Sequence, residues 1–420
     1  MKLQTARGVK DLSPEEKIVK NNVVNTLQEV FNLYGFAPLE TPLIERIETL
    51  SAKEAAGEES DVMKEVFKLT DQGKRKLGLR FDLTVPLARY VATNSALKLP
   101  FKRSQVGRVF RDGPIKLGRT REFWQMDVDT VGTKSMIAEA ELLALANTAF
   151  TKLGMNVVIK VNNRKILNGI LEQSGIKEKE NAIIVIDKLA KIGKTGVEKE
   201  LRERGYSSKQ IKSIFSIIKE KTTFADLKKS VTTDLGKEGI AEMQDVLDYC
   251  RSMGIKTIRY EVSLARGLAY YTGTVFEVFL KKGEITSSIA AGGRYDDMVG
   301  KFMGGGRIIP AVGISFGLVP IVESLKKEGK KTPARLLVLP INTIKESLQI
   351  AEEFRSNGIE TDFAMGKKGV SKNLQYADSL GIPFVAIIGE KELSKKKVLL
   401  RNMQTGDEQL LSVSQAVKKL

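Results

Sequence analysis

The sequence contains no histidine and a single cysteine. Without imidazole there is no Ser-His-Asp or Cys-His nucleophile system and no zinc site of the HExxH kind. No side chain of ordinary pKa titrates near 7 to act as a general base. Cys250 alone forms no intrachain disulfide, so the cytoplasm is the expected compartment. No apolar run reaches the ~18–20 residues of a membrane span. The segment Met1–Arg7 lacks the apolar core of a secretory signal. Neither GxxxxGK[ST] nor GxGxxG occurs, which leaves out P-loop and Rossmann phosphate sites. Chemistry must rest on carboxylates, arginines, lysines, tyrosines or the substrate itself.

What is present is an ordinary globular composition, 42% hydrophobic and 28% charged over 420 residues, enough for two or three domains. Lys and Arg number 68 against 51 Asp and Glu, a net +17 that suits a polyanionic partner, nucleic acid first. The excess is uneven. Residues 174–250 carry a net +2 and residues 334–420 a net +3, so +12 lies in the remaining segments.

Ser13-Pro14-Glu15-Glu16 opens a helix with a cap, a proline at the first position and Glu three after the cap. Gly35 closes it. Phe36–Pro42 reads as an edge strand. Residues 43–72 read as helix plus charged loop. A short strand follows from Lys76, then a helix opened by Pro86 with Thr84 as cap. Residues 101–132 read as two strands joined by a turn-rich loop, 137–152 as helix and 156–161 as strand. Residues 174–250 have the character of an inserted helical module. Strand patterns resume from Ile255 to Leu280, followed by the glycine-rich stretch 292–317. Residues 326–333 form a polar linker. Residues 334–420 alternate strand and helix, predicting a small α/β unit with a mostly parallel sheet.

The run Arg121–Asp129 carries the most information. Alternation puts Arg121, Phe123, Gln125, Asp127 and Asp129 on one strand face and Glu122, Trp124, Met126 and Val128 on the other. The second face suits a core. Burying the first without partners would be unfavourable by several kcal/mol, so it reads as the floor of a ligand site, with Phe123 suited to stacking. Arg111, Lys116 and Arg119 nearby suit phosphate.

Val109-Phe110-Arg111 and Gly118-Arg119-Thr120-Arg121-Glu122-Phe123-Trp124-Gln125 resemble motif 2 of the class II aminoacyl-tRNA synthetases, and Thr41-Pro42 resembles the end of motif 1. Leu264–Thr272 (LARGLAYYT) and Ala290–Asp296 (AAGGRYD) are similar to two signatures of the histidyl-tRNA synthetases. The resemblance runs from about residue 6 to 420. It implies an α+β catalytic domain over 1–325, with an antiparallel sheet flanked by helices and interrupted by a helical insertion at 174–250. It also implies a linker at 326–333 and a C-terminal α/β anticodon-binding domain at 334–420. The implied activity is ligation of L-histidine to tRNA(His) with ATP and Mg2+, by a cytoplasmic homodimer without membrane contact.

The implied roles follow residue by residue. Asp82, Thr84 and Gln125 would hold the α-ammonium group. Asp129 and Tyr271, with Tyr270 beside them, would meet the imidazole, and Gly292 and Gly293 would let backbone approach the amino acid. The ATP site would comprise Arg111, Arg119, Arg121, Phe123 and Arg266. Arg111 and Arg119 would lie on phosphates, Phe123 on adenine, and Arg266 on the α-phosphate, where charge develops. Arg266 and Arg111 are the implied catalytic residues; which residues, if any, would meet the metal is left open. Three positions depart from the pattern. Gly113 replaces a Glu, Ala269 an Asp, and Pro320 the motif 3 Arg, for which Lys301 or Arg307 are candidate substitutes. Two other readings compete: a non-catalytic, histidine-sensing regulatory subunit, and an RNA-binding module. Under the ligase reading, a chain free of histidine is made without its own product.

Overall fold

The computed structural model describes residues 3–51, 61–115, 119–219, 222–265, 270–304, 306–325, 331–366 and 369–420. The chain forms two compact units: residues 1–10 with 23–324, and residues 11–22 with 325–420.

The first helix, Pro14–Leu33, starts as the sequence dictates. The Glu16 amide donates to the Ser13 hydroxyl and the Ser13 amide to the Glu16 carboxylate, each at 3.2 Å. Val23, Leu27, Val30 and Phe31 are its buried stripe. Gly35, at φ +71°, turns the chain out of it.

Sixteen strands are described. Those of the first unit are β1 (Ala37–Pro38), β2 (Ile44–Arg46), β3 (Lys68–Thr70), β4 (Lys76–Leu79), β5 (Phe101–Phe110), β6 (Glu122–Val131), β7 (Val157–Asn163), β8 (Ile258–Tyr260), β9 (Thr274–Leu280), β10 (Ala290–Arg294) and β11 (Ala311–Gly317). The main sheet has the order β1-β5-β6-β11-β10-β9-β7-β8. Its pairings from β5 through to β7 are antiparallel, and only the outer pairs β1–β5 and β7–β8 are parallel. One face of this sheet is core. Met126 of β6 lies opposite Phe316 of β11, and the rings of Phe31 and Phe150 each sit 5.6 Å from that of Phe316. Phe150 comes from the helix Ile137–Lys152, whose Leu142, Leu143, Leu145 and Ala146 are buried. The other face is the polar one.

Several expectations are corrected. Phe36–Pro42 pairs only over β1, because prolines 38 and 42 lack the amide a ladder needs. Residues 43–72, expected as helix and loop, also hold β2 and β3, which flank β4 in a small antiparallel sheet. Residues 52–60 lie outside the described residues. Between β7 and β8 the described elements are all helices, from Arg164 to Ser252, the first opened by the Asn163 side chain accepting the Lys165 amide at 2.8 Å. Within this stretch the lone thiol, Cys250, is buried, which pushes its pKa up to about 12 and leaves it inert.

The second unit holds β12 (Leu336–Pro340), β13 (Thr361–Phe363), β14 (Phe384–Ile388), β15 (Val398–Asn402) and β16 (Glu408–Leu411), in the order β13-β12-β14-β15-β16. The sheet is mixed, not mostly parallel. β13 and β14 flank β12 in parallel, while β14–β15 and β15–β16 are antiparallel. The short helix Glu390–Leu393 between β14 and β15 is not the long crossover a parallel pair requires. Alternate strand residues face two cores. Val338 and Ile388 pack with Phe354 on one side, and Leu339 and Val385 with Ala377 on the other. A closing helix, Val413–Lys419, is capped by Ser412 and Gln415. Of the expected linker, residues 326–330 lie outside the described residues.

Candidate active site

The polar face of the main sheet is ruled into rows by its register. Arg103, Asp129, Gly313 and Gly293 align across β5, β6, β11 and β10. Gln105, Asp127, Ser315 and Ala291 form the next row. Above these rows lies a cavity of about 160 Å³. Asp82, Thr84, Gln125, Asp129, Tyr270, Tyr271, Gly292, Gly293 and Arg111 all line it, so the structure brings together nine of the residues named from the sequence, drawn from five stretches of chain.

Asp129 sits at one end. It accepts a hydrogen bond from the Tyr295 hydroxyl and lies 2.8 Å from a nitrogen of Arg103, which is fully buried. Burial pushes the Asp129 carboxyl above the usual carboxylate range, against the pull of Arg103 and Tyr295. Burial, with Asp129 beside it, raises the Tyr295 phenol well above its ordinary value and keeps it a donor. The Tyr270 and Tyr271 ring centroids are 4.5 Å apart with the rings tilted by 39°, and Tyr295 meets Tyr270 edge-on at 6.4 Å. This is an aromatic wall beside a carboxylate, a fit for a flat ring bearing an N–H.

Gln125 sits toward the other end, its amide donating to the Ser315 hydroxyl at 2.8 Å. Asp82 enters from the segment before the helix Thr84–Thr93. That segment is pinned. Arg80 donates to the carbonyls of Thr41 and Arg108 at 2.6 and 2.8 Å, and Arg111 donates to the Phe81 carbonyl at 3.0 Å. Asp82 is also the residue that caps this helix, accepting the Val85 amide at 3.0 Å. Thr84, expected as the cap, is instead its first residue and makes no capping bond. A carboxylate two residues before the helix body reaches the free amides better.

The outer cations stand apart. Among the described residues Arg111 is the one cation lining the cavity. Its guanidinium lies 5.2 Å from the half-buried Phe123 ring. Arg119, Arg121 and Phe123 are not part of the lining. Arg119 is paired with Glu65 at 3.0 Å and Arg121 with Asp112 at 2.8 Å. Lys301 and Arg307 are exposed and do not line the cavity. Arg266 and Ala269 lie outside the described residues, as do Lys116 and Gly118. Glu65 has a further relation to the loop: its carboxylate oxygen is 2.5 Å from where a side chain on Gly113 would begin.

The two glycines of β10 differ. A side chain on Gly293 would meet the Tyr271 ring at 2.9 Å, on the cavity side. One on Gly292 would strike the Gly313 carbonyl and Phe276, on the core side. Sequence reasoning assigned no role to Arg103, Ser315, Tyr295 or Gly313. Tyr295 lay inside the Ala290–Asp296 run. Arg103 gave no local signal, because its partner is on another strand.

The geometry is that of a small polar cavity with a ring-binding end, a cation-binding end and an arginine at its margin. Residues 8–321 match the family model described as histidyl-tRNA synthetase. The chain belongs to the histidyl-tRNA synthetase family. Residues 335–420 match the model described as anticodon binding domain. Histidine–tRNA ligase 1 of Bacillus cereus is 44% identical over 415 residues, 97% of this chain and 95% of that protein. Histidine–tRNA ligase of Clostridium tetani is 37% identical, covering 98% of this chain and 96% of its own. The crystal structure of histidyl-tRNA synthetase from Nostoc sp. PCC 7120 superposes with a TM-score of 0.89 at 31% identity, covering 100% of this chain and 99% of its own. Membership of the family accounts for the antiparallel sheet, the polar floor and the second unit together.

Proposed function

We infer that this chain activates L-histidine with ATP and passes it to the 3′ end of tRNA(His). The observation that carries the reading is the cavity itself: two adjoining tyrosine rings beside Asp129 at one end, and Asp82, Thr84 and Gln125 toward the other. An imidazole N–H donates to Asp129 while its ring lies on Tyr270 and Tyr271. The ammonium group meets the second end. Tyr295 and Arg103 fix the Asp129 carboxylate, and the Gly293 backbone leaves room for Tyr271.

In the first step a carboxylate oxygen of histidine attacks the α-phosphorus, and the bond to the pyrophosphate oxygen breaks in line. Arg111 at the cavity margin and Arg266 stabilise the charge on the phosphoryl oxygens. Arg119 and Arg121 hold the outer phosphates, and Phe123 stacks on adenine. In the second step a ribose hydroxyl of the tRNA terminus attacks the acyl carbon and AMP leaves. With no protein imidazole in the chain, the hydroxyl proton leaves through a phosphate oxygen of the adenylate. Among the described residues no group of three His, Cys, Asp or Glu is arranged to hold a metal. Mg2+ would enter with ATP, held by its phosphates.

The proposal includes a homodimer in the cytoplasm. Thr41-Pro42 leads into Leu43 and Ile44, which with Leu69 leave apolar surface exposed on the β2–β4–β3 sheet. No helix among the described residues is long and apolar enough to cross a membrane. A regulatory subunit has no observation of its own here, and the chain spans the ligases it matches almost end to end.

ATP–pyrophosphate exchange with each of the twenty amino acids tests the reading. Exchange should depend on histidine alone, and Arg266→Ala should lower it by orders of magnitude with histidine binding kept. Folded protein without histidine-dependent exchange would sink the assignment.

A further inference from the structure

Three carboxylates line the cavity. Asp129 takes the Tyr295 hydroxyl on Oδ1, and its Oδ2, which makes no hydrogen bond, lies 2.8 Å from an Arg103 nitrogen. Asp82 Oδ1 takes the Val85 amide. Among the described residues Asp127 has only the neutral Ser315 hydroxyl as a hydrogen-bond donor: it is 4% exposed, lines the cavity, and its Oδ1 has no hydrogen-bond partner. Two residues along the same strand face, Gln125 Oε1 is also buried without a partner. Ser315, opposite Asp127 in the register, links the two by accepting from the Gln125 amide and donating to Asp127. Two unmatched acceptors, one of them anionic, thus converge beside one hydroxyl. Buried acceptors left so are unfavourable, and a buried carboxylate more so. A cationic donor carried in by a ligand satisfies both.

We propose that Asp127 is a second carboxylate counter-ion of the α-ammonium group of the bound amino acid, across from Asp82 and beside Gln125 Oε1. The assignment rests on the ligase reading and deepens it: Asp127 becomes a specificity-determining residue for a free α-amino acid.

The charged and titratable groups around Asp127 come from each neighbouring element. Arg103 faces it from β5, Asp129 from β6, Asp82 and Arg80 from the segment before the helix, and the Ser315 hydroxyl from β11. Arg111 and the tyrosines 270, 271 and 295 complete the titratable lining. Burial, opposed by Arg103 and reinforced by Asp129, pushes the Asp127 carboxyl up to about 7. Below that pH the empty pocket holds Asp127 as the neutral acid. An arriving ammonium favours the carboxylate and drives the proton out, so histidine binds more weakly as the pH falls through 7.

The test is the KM for histidine in pyrophosphate exchange by wild type and Asp127→Asn at pH 6 and pH 8. At pH 8 the variant's KM should rise by more than about tenfold, with kcat within a few-fold of wild type. At pH 6 the ratio of the two KM values should fall toward one, because the wild type has itself lost the charge. A second measurement needs no variant. Calorimetry on wild type compares L-histidine with 3-(imidazol-4-yl)propionate, which has the ring and carboxylate but no ammonium. From pH 6 to 8 histidine should gain affinity relative to the propionate. A wild-type KM for Asp127→Asn at pH 8, a KM ratio constant with pH, or parallel pH curves for the two ligands would each overturn the assignment. Wild-type protein that exchanges with no amino acid would overturn the ligase reading instead.

Discussion

At Gly313 a single hydrogen decides where a carboxylate can lie. A side-chain carbon there would sit 1.9 Å from Asp129 Oδ1, far inside contact distance. Gly313→Ala must therefore move Asp129 away from Tyr295 and Arg103, or bend β11. Because misplacing a reacting partner by about 1 Å costs about 10²-fold in rate, histidine-dependent exchange by Gly313→Ala should fall by that order. The protein should remain folded by circular dichroism. Exchange at the wild-type rate would mean that Asp129 does not position the ring. Asp82 teaches a related lesson: one carboxylate both starts a helix and lines the cavity, so its substitution mixes stability with binding. Asp127 is free of that double duty, which makes it the cleaner probe.

At the scale of elements, β6 supplies function on one face and core on the other, and the alternation that says so is local. That is why Gln125, Asp127 and Asp129 were readable in the sequence, and why the helix Ile137–Lys152 was found with its bounds intact. Strands of three residues such as β2 and β3 hold too little of a period to read. Pairing direction was equally hidden: nothing in residues 398–411 says that β15 runs against β14. The partners of Asp129 come from strands distant in sequence, so its anchorage could not be seen. The same holds for Arg294 of the Ala290–Asp296 run. Its fork lies on Glu139 of the helix, at 2.6 and 2.7 Å, and both side chains are buried. Arg294 thus fastens β10 to that helix rather than touching ligand. Arg294 keeps Asp296 at 3.1 Å on its other nitrogen, so removing Glu139 strips the buried fork of its main but not its only carboxylate, and Glu139→Ala should destabilise the first unit by about 3 kcal/mol, the low end for a broken buried pair. Denaturant melts of wild type and variant measure it. A loss under about 1 kcal/mol, the range of surface pairs, would contradict the burial.

For the whole molecule, the absence of histidine excludes imidazole catalysis, and under the ligase reading it also concerns supply. A chain with no histidine codons is completed even when charged tRNA(His) runs short. Placing histidine at exposed positions, as in Lys209→His and Lys418→His, should slow the enzyme's recovery in cells released from histidine starvation. Equal recovery with and without those codons would remove the idea. The cavity adds a second link between the molecule and its substrate. Its floor is assembled from β5, β6, β10 and β11, which span more than two hundred residues of chain, so only the closed sheet possesses it. A ligand that binds the native state alone stabilises all of it, by about 2.7 kcal/mol at a hundred times its dissociation constant. Empty, the same floor confines three carboxylates together. Histidine therefore acts as a late-fitting keystone of the fold, and the lifetime of the protein, as well as its rate, becomes a gauge of how much of the amino acid is at hand.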